Sequence, residues 1–239
     1  MLAKLTNRQI IAENTLSATF SLNEVADFLP GQFAVIALVN PPYHDEKGSE
    51  RYFSINNSPN HNRDITISTR LHEPIEDGSA FKRSLNEIPL GTEVEIKNIG
   101  GSFTLPKNQI KPLTFITGGI GITPFMSMLR YIHENDLDYA LSMFYFNRTQ
   151  ASTAFLDELQ RLGQEIRNFN LVLIMTDDNS WTGEKEKVTS ELIKKYLPNW
   201  TDNTFMTSGP PAMVNGVSQT LKDMGVTRDN IVTESFSGY

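Results

Sequence analysis

A glycine-rich stretch between residues 113 and 124 carries the strongest chemical signal in the sequence. The apolar run Leu113–Thr117 leads directly into three glycines, and a helix is predicted to begin immediately afterwards. Glycines allow a tight turn and a close approach of backbone to phosphate, and a helix start attracts anions. We therefore predict a phosphate-binding loop, although an ordinary strand-to-helix turn would have the same sequence pattern. Its predicted contacts are Gly118, Gly119, Gly121, Thr123 (the expected N-cap) and Pro124 (the expected first helical residue).

A second chemical group lies on a predicted strand, where an arginine, two aromatic residues and a serine follow one another. Alternation along a strand places Arg51 and Phe53 on one face and Tyr52 and Ser54 on the other. An arginine can neutralise a pyrophosphate, an aromatic ring can stack on a planar ring system, and a serine hydroxyl can hydrogen-bond a ring nitrogen. An ordinary amphipathic edge strand would show the same four residues.

Composition excludes several classes of function. The 239 residues contain no cysteine, so this sequence can form no disulfide, thiolate metal site or cysteine-ligated iron–sulfur cluster. A net charge of −7 makes nucleic acid an improbable partner. The four histidines show no ligand spacing, so we expect no metal site. We also find neither a signal-peptide pattern nor an apolar run long enough to span a bilayer, and we expect a cytoplasmic protein without a membrane span.

The elements that must position these groups change in character near residue 106. Before that point, short β-rich runs separated by turn clusters predict an antiparallel barrel or sandwich, with one short helix over 79–86. After it, strand-like runs alternate with helix-length segments, which predicts a parallel sheet with helices on both faces. We predict two domains, 1–107 and 108–239.

Taken in order, the motifs resemble those of the ferredoxin–NADP reductase superfamily of flavoenzymes, and the resemblance covers nearly the whole chain. The series comprises Arg51-x-Phe53-Ser54, Gly78-Ser79-Ala80, Gly100-Gly101-Ser102-Phe103, Gly118–Pro124, Asn147-Arg148-Thr149, Ser208-Gly209-Pro210-Pro211 and Glu234-Ser235-Phe236. The resemblance implies a Greek-key β-barrel that binds FAD over 1–107 and a doubly wound α/β domain that binds NAD(P) over 108–239.

For the first domain, the resemblance implies that Arg51 contacts the FAD pyrophosphate. Phe53 would stack on the isoalloxazine in place of the usual tyrosine, and Ser54 would lie near flavin N5. Gly78 and Ser79 would begin a second phosphate-binding turn, although a simple helix cap is an even alternative. The implied FAD contacts are Arg51, Tyr52, Phe53, Ser54, Ser68, Thr69, Gly78, Ser79 and Ala80.

For the second domain, the resemblance implies that the loop 118–124 holds the NAD(P) pyrophosphate, with Thr123 toward the nicotinamide. Ser208 stands where the family usually has a cysteine near the site of hydride transfer, and Gly209 and Pro210 follow it. Either Phe236 or Tyr239 would pack beside the flavin. The implied catalytic residues are Ser54, Ser208, Glu234 and Phe236, with Ser54 and Glu234 stabilising charge or relaying a proton.

The preference for one nicotinamide cofactor is expected to depend on charge near the adenosine ribose. Arg148 could serve the 2′-phosphate of NADPH, or be a solvated surface charge. Asp177 and Asp178 would repel that phosphate, so the sequence favours NADH.

The activity implied is hydride transfer from NADH or NADPH to flavin N5, followed by electron transfer to a separate acceptor. That acceptor would be a ferredoxin, flavodoxin, haem protein or oxygenase component. Two alternatives stay open: a reductase that uses free flavin as a substrate, and a sensor that binds flavin and nucleotide without turnover.

Overall fold

The structure is a computed structural model that describes residues 1–107 and 111–236. The chain divides into two compact units. The first comprises Met1–Leu105 together with Thr123–Tyr131, and the second comprises the remaining described residues. The domain bounds 1–107 and 108–239 stay a prediction.

An antiparallel six-stranded sheet forms most of the first unit. Its strands are β1 (Leu2–Ala12), β2 (Thr15–Leu22), β3 (Phe33–Leu38), β4 (Glu50–Ser54), β5 (Asp64–Arg70) and β6 (Glu93–Gly100). They lie in the Greek-key order β4-β3-β6-β1-β2-β5. The two outer strands meet where Ile55 bridges Ile67, so the sheet is closed like a barrel and its edges are covered.

The alternating sequence of these strands determines which side chains enter the barrel. In β5 the isoleucines Ile65 and Ile67 are fully buried, whereas Thr66 between them is only partly buried. The helix α1 (Ala80–Glu87) contributes Phe81 and Leu85 to the same core. This helix lies within one residue of its predicted bounds, and its first turn becomes part of the candidate site.

A parallel five-stranded sheet forms the second unit. Its strands are β7 (Leu113–Gly118), β8 (Leu141–Asn147), β9 (Phe169–Met175), β10 (Thr204–Gly209) and β11 (Ile231–Ser235), in the order β11-β10-β7-β8-β9. The helices along this part of the chain are α2 (Thr123–Glu134), α3 (Leu156–Glu165), α4 (Ser190–Tyr196) and α5 (Pro211–Asp223). Every residue of β7 and β8 is buried, as expected for strands covered on both faces.

These two sheets confirm the predicted fold class, an antiparallel barrel followed by a doubly wound parallel sheet. The strand order reverses between β7 and β10, and in open α/β sheets ligands bind beyond the carboxyl ends of the strands at such a point. Among the residues that the structure describes, no helix is both long and apolar enough to cross a membrane.

Candidate functional site

The first turn of α1 and the start of β4 together form a cradle for an anion in the first unit. In the structure, the carboxylate of Asp45 is bound to the donors of this cradle. Nη2 of Arg51 donates to both oxygens of Asp45, at 2.8 and 3.0 Å, and the backbone N–H of Ala80 donates to Oδ2 at 3.0 Å. Nη1 of Arg51 donates to the carbonyl oxygens of Lys47, Gly48 and Glu50 at 2.7–2.9 Å. A guanidinium and a helix-start N–H therefore converge on one anion.

Further cations surround this cradle. The amine of Lys82 is largely buried and donates to the carbonyl oxygen of Arg70 at 3.0 Å. Burial, assisted by the positive charges of Arg51, Arg70 and Lys47, lowers the pKa of Lys82 to about 8. Such a concentration of cations around a partly buried amine is unfavourable unless an anion joins it, so the cluster suits a ligand with more than one negative charge.

The predicted turn at Gly78, Ser79 and Ala80 lies at this cradle. The Ser79 hydroxyl is buried without a hydrogen-bond partner among the described residues, and Ser79 does not cap α1 with its side chain. A Cβ at Gly78 would lie 2.8 Å from the Cβ of His72, so glycine is needed there for packing. An unpaired hydroxyl and an N–H held by a carboxylate are the donors that a phosphate would use. The residues present therefore fit the diphosphate of FAD.

The placement of the two aromatic residues of β4 differs from the prediction. Arg51 and Phe53 do share a face, since the guanidinium lies 5.6 Å and the Phe53 ring 5.5 Å from the ring of Phe81. However, Phe53 is 9% exposed and belongs to the barrel core. Turning that ring out to stack on a flavin would cost about 1.5–3 kcal/mol of burial.

The exposed ring on this strand belongs to Tyr52. It is 71% exposed and packs edge-on against Phe33, with the ring centroids 5.4 Å apart. Tyr52 therefore presents the exposed ring of this strand, whereas the stacking of Phe53 on a flavin stays a prediction. Phe53 lies opposite Ala34 of β3, another residue of the same core, so its burial depends on a strand partner distant in sequence.

The remaining predicted flavin contacts in the first unit are buried. Ser54 is 7% exposed, and its hydroxyl makes no hydrogen bond within the described parts of the chain. The Ser68 hydroxyl accepts a hydrogen bond from Nδ2 of Asn56 at 2.8 Å, and Thr69 is also buried in β5. Because both side chains are buried, any flavin contact of Ser68 and Thr69 would come from the backbone, as the resemblance implies.

The glycine loop of the second unit lies at the reversal point of the sheet, where β7 ends. Residues Gly119–Ile122 form a single 3-10 turn, and Gly119 adopts a positive φ of 55°. A Cβ on Gly121 would lie 2.5 Å from the carbonyl oxygen of Ser208 and 2.6 Å from Cα of Gly209. A Cβ on Gly118 would lie 2.5 Å from the sulfur of Met213. The loop therefore depends on glycine for its conformation and its packing.

The start of α2 differs slightly from the prediction. The helix begins at Thr123 itself, so Thr123 is its first residue and not its N-cap, and Pro124 is the second. The 3-10 turn directly precedes the helix and occupies the place where an N-cap residue would lie. Both residues still lie in the first turn of α2, as the predicted loop requires.

Ser208 fastens the end of β10 to the glycine loop. Its hydroxyl is fully buried and donates a short hydrogen bond to the carbonyl oxygen of Gly121. Oγ1 of Thr117 donates in turn to the carbonyl oxygen of Ser208, at 2.9 Å. The side chain thus holds the loop in place, and the catalytic role of Ser208 stays a prediction. Gly209 follows with a φ of 149°, and Pro210 precedes α5.

The charged residues predicted to lie near the adenosine ribose follow the carboxyl ends of β8 and β9. Nη2 of Arg148 pairs with Asp177 at 2.9 Å, and both side chains are mostly exposed. Hydrogen bonds from the Ser180 hydroxyl and the N–H of Gln150 hold the pKa of Asp178 well below its usual range. Two aspartate side chains therefore accompany one arginine.

The described chain ends with a buried carboxyl group and an aromatic residue. Burial raises the pKa of Glu234 to about 7, and Oε2 has no hydrogen-bond partner among residues 1–107 and 111–236. The N–H of Phe236 donates to the carbonyl oxygen of Gly209 at 3.0 Å, which extends the pairing of β11 with β10. The other predicted terminal aromatic, Tyr239, lies outside the described residues.

Sequence reasoning missed two residues of the cradle, Asp45 and Lys82. Lys82 lies one turn after Ser79, on a helix that the sequence did predict, and its spacing could have been noticed. Asp45 lies in a polar loop, and no local pattern distinguishes it from its acidic neighbour Glu46.

The comparisons with known proteins agree with this geometry. Residues 115–219 match the oxidoreductase NAD-binding domain family. The chain is 25% identical over 217 residues to the reductase component of propane 2-monooxygenase from Mycolicibacterium smegmatis, covering 88% of this chain and 60% of that protein. It is 27% identical over 239 residues to the electron transfer component of toluate 1,2-dioxygenase from Pseudomonas putida, covering 98% and 67%.

A similar solved structure is the FAD/NAD-binding domain of nitric oxide dioxygenase from Vibrio cholerae, with a TM-score of 0.84, 21% identity and 98% of each chain covered. Barrel, parallel sheet and glycine loop define a two-unit oxidoreductase fold for nucleotide cofactors. The fold, the order of the motifs and the match over residues 115–219 support the resemblance of this chain to the ferredoxin–NADP reductase superfamily. It spans about 60% of the length of the first curated relatives it matches.

Proposed function

We propose that the protein is a flavin-dependent NAD(P)H oxidoreductase that passes electrons to a separate protein. The observation that carries this proposal is the cation cluster of Arg51, Lys82 and Arg70 at the start of α1, in a fold that has a glycine-loop nucleotide site on its second unit. Each unit then has its own phosphate-binding device, as a two-nucleotide enzyme requires.

Bound FAD would supply the chemistry, accepting a hydride from the nicotinamide and releasing the electrons singly. Arg51, Lys82 and the N–H of Ala80 would hold its diphosphate, and Tyr52 would offer a face to its ring. On the second unit, the N–H groups at Gly119–Ile122 would hold the dinucleotide pyrophosphate. Glu234, with a pKa near 7, would hold or release a proton at Oε2 around neutral pH.

We propose NADH as the preferred nicotinamide cofactor. Arg148 is already paired with Asp177, and Asp178 is ionised at any physiological pH. A 2′-phosphate placed near these groups would meet two carboxylates for one cation, whereas the ribose hydroxyls of NADH carry no charge.

We propose an oxygenase component as the electron acceptor. The names of two relatives support this choice, since one is the reductase component of a monooxygenase and the other the electron transfer component of a dioxygenase.

A second candidate function is reduction of free flavin, and the engagement of the cradle by Asp45 favours it. Gel filtration of the purified protein separates the two. A yellow protein with about one FAD per chain supports the resident cofactor. A colourless protein that oxidises NADH only when flavin is added supports the alternative. Flavin binding with no NADH oxidation under either condition would leave a sensor role.

Replacement of the cradle arginine tests the flavin site. Arg51→Ala is expected to weaken FAD binding at least about tenfold, because a partly buried diphosphate loses its charged hydrogen-bond donor. Flavin content after gel filtration and FAD titration measure the effect. Arg161→Ala is the matched control, since that arginine pairs with Glu165 on the surface of α3. Equal FAD retention in both variants would contradict the assignment.

A further inference from the structure

The polar loop before β4 places a carboxylate on the donors that a flavin phosphate needs. Oδ2 of Asp45 accepts a hydrogen bond from the N–H of Ala80 at 3.0 Å. The two carboxylate oxygens of Asp45 accept hydrogen bonds from Nη2 of Arg51 at 2.8 and 3.0 Å. Oδ1 also accepts the N–H of Lys47 at 2.9 Å. Burial would raise the pKa of Asp45, but these hydrogen bonds outweigh it and keep the pKa below its usual range.

A diphosphate and this carboxylate cannot use the same donors together. One N–H has one proton to donate, and an anion within hydrogen-bond distance of Asp45 would meet its negative charge across a partly desolvated gap. The Nη1 donors of Arg51 are already on the carbonyl oxygens of Lys47, Gly48 and Glu50. For a phosphate to enter, Asp45 must leave Arg51 and Ala80.

The loop is built so that this exchange can occur. Asp45 lies at the start of the tight turn Asp45–Gly48, closed by the N–H of Gly48 on the carbonyl oxygen of Asp45 at 3.1 Å. The turn residues are exposed, and nothing lies within 4 Å of a Cβ built at Gly48. The Asp45 side chain is itself 29% exposed, so water can replace its lost partners when it swings away.

The amount of negative charge determines whether Asp45 or a diphosphate occupies the cradle. Arg51, Arg70, Lys47 and Lys82 face the cradle, and Asp45 provides a single negative charge against them. A diphosphate brings two charges and more acceptor oxygens, and it can also use the unpaired hydroxyl of Ser79. Asp45 therefore competes with the flavin without excluding it.

We propose that Asp45 is an internal competitor for the phosphate of the flavin, which lowers the affinity for phosphate-bearing flavins and keeps FAD exchangeable. This inference rests on the proposed function, because it presumes that the cradle at α1 receives a flavin phosphate. Its consequence is specific: the penalty applies to FAD and FMN and spares riboflavin, which carries no phosphate.

The test compares Asp45→Asn with the wild-type chain. Fluorescence titration measures the Kd of each protein for FAD, FMN and riboflavin. The asparagine keeps an oxygen for the Ala80 N–H and removes the charge. We expect the Kd for FAD to fall about three- to tenfold and the Kd for riboflavin to stay unchanged. Glu46→Gln, which makes the same change of charge one residue away, should leave all three values unchanged.

Three results would overturn the inference. They are an unchanged Kd for FAD, weaker FAD binding in Asp45→Asn (which would make Asp45 a support for Arg51), and an equal gain for riboflavin. Asp45→Ala repeats the test without the amide, and thermal unfolding of both variants verifies the fold. If Arg51→Ala loses FAD while Asp45→Asn changes nothing, the proposed function stands and this inference fails. If Arg51→Ala also retains FAD, the cradle is not the flavin site.

Discussion

The cradle at α1 depends on the balance of a few charges, and Lys82 is the one whose charge changes near physiological pH. Its amine is held between Arg51, Arg70 and Lys47, and burial together with these cations brings its pKa to about 8. A bound diphosphate would stabilise the charged amine and raise that pKa again. Binding of FAD above pH 8 must therefore take up a proton.

This linkage predicts how FAD affinity depends on pH. The Kd should be constant below about pH 7 and should rise above pH 8, by up to about tenfold at pH 9, because the free protein has lost the Lys82 proton. Lys82→Arg stays charged throughout and should flatten the profile. FAD titration at pH 6, 7, 8 and 9 measures both proteins. The same rise in both variants would show that another group controls it.

Asp177 is the residue expected to decide between the two nicotinamide cofactors. Asp177→Ala releases Arg148 for a 2′-phosphate and removes one repelling charge, so the ratio of kcat/KM for NADPH to that for NADH should rise about five- to tenfold. The matched control is Asp136→Ala, because Asp136 forms a similarly exposed pair with Arg167 elsewhere on the same unit. An equal change in both variants, or none in either, would contradict the assignment.

At the scale of elements, the junction between the glycine loop and β10 is the contact most sensitive to one added atom. Gly121→Ala would place a Cβ against the backbone of Ser208 and Gly209, at 2.5 and 2.6 Å, where no flexible side chain can yield. We expect a loss of about 1–3 kcal/mol in the free energy of unfolding and a rise of about tenfold or more in the Kd for NADH. Denaturant unfolding and nucleotide titration measure these.

A second glycine provides the control for that change. Gly216 lies in the interior of α5, and nothing lies within 4 Å of a Cβ built on it. Gly216→Ala should leave NADH binding unchanged and stabilise the fold by about 0.5–1 kcal/mol, because alanine is the better helix former. If Gly121→Ala binds NADH as tightly as Gly216→Ala does, the loop is not the nucleotide site.

The elements were predictable because each carries its own periodic signal. The predicted alternation of strands and helices after residue 106 is confirmed, since continuous apolar runs and glycine or proline punctuation mark these elements locally. The roles of Phe53 and Ser208 were not predictable in the same way. Whether a ring faces the core, or a hydroxyl is consumed by the Gly121 carbonyl, depends on residues distant in sequence.

At the scale of the whole molecule, the account requires two nucleotide sites that can be disabled separately. Arg51 and its partners all belong to the first unit, and the glycine loop, Ser208 and Asp177 belong to the second. Arg51→Ala should therefore lose FAD and keep NADH, whereas Gly121→Ala should lose NADH and keep FAD. The reductase activity needs both sites at once, so either variant alone should lose it.

The central claim is that a nicotinamide cofactor reduces a flavin held by this chain. Anaerobic stopped-flow mixing of the FAD-loaded protein with NADH, and in parallel with NADPH, tests it most directly by following the absorbance of the oxidised flavin. We predict that NADH bleaches the flavin within seconds and that NADPH does so more slowly. If neither nucleotide bleaches it while FAD remains bound, the protein is not a reductase and the account is wrong.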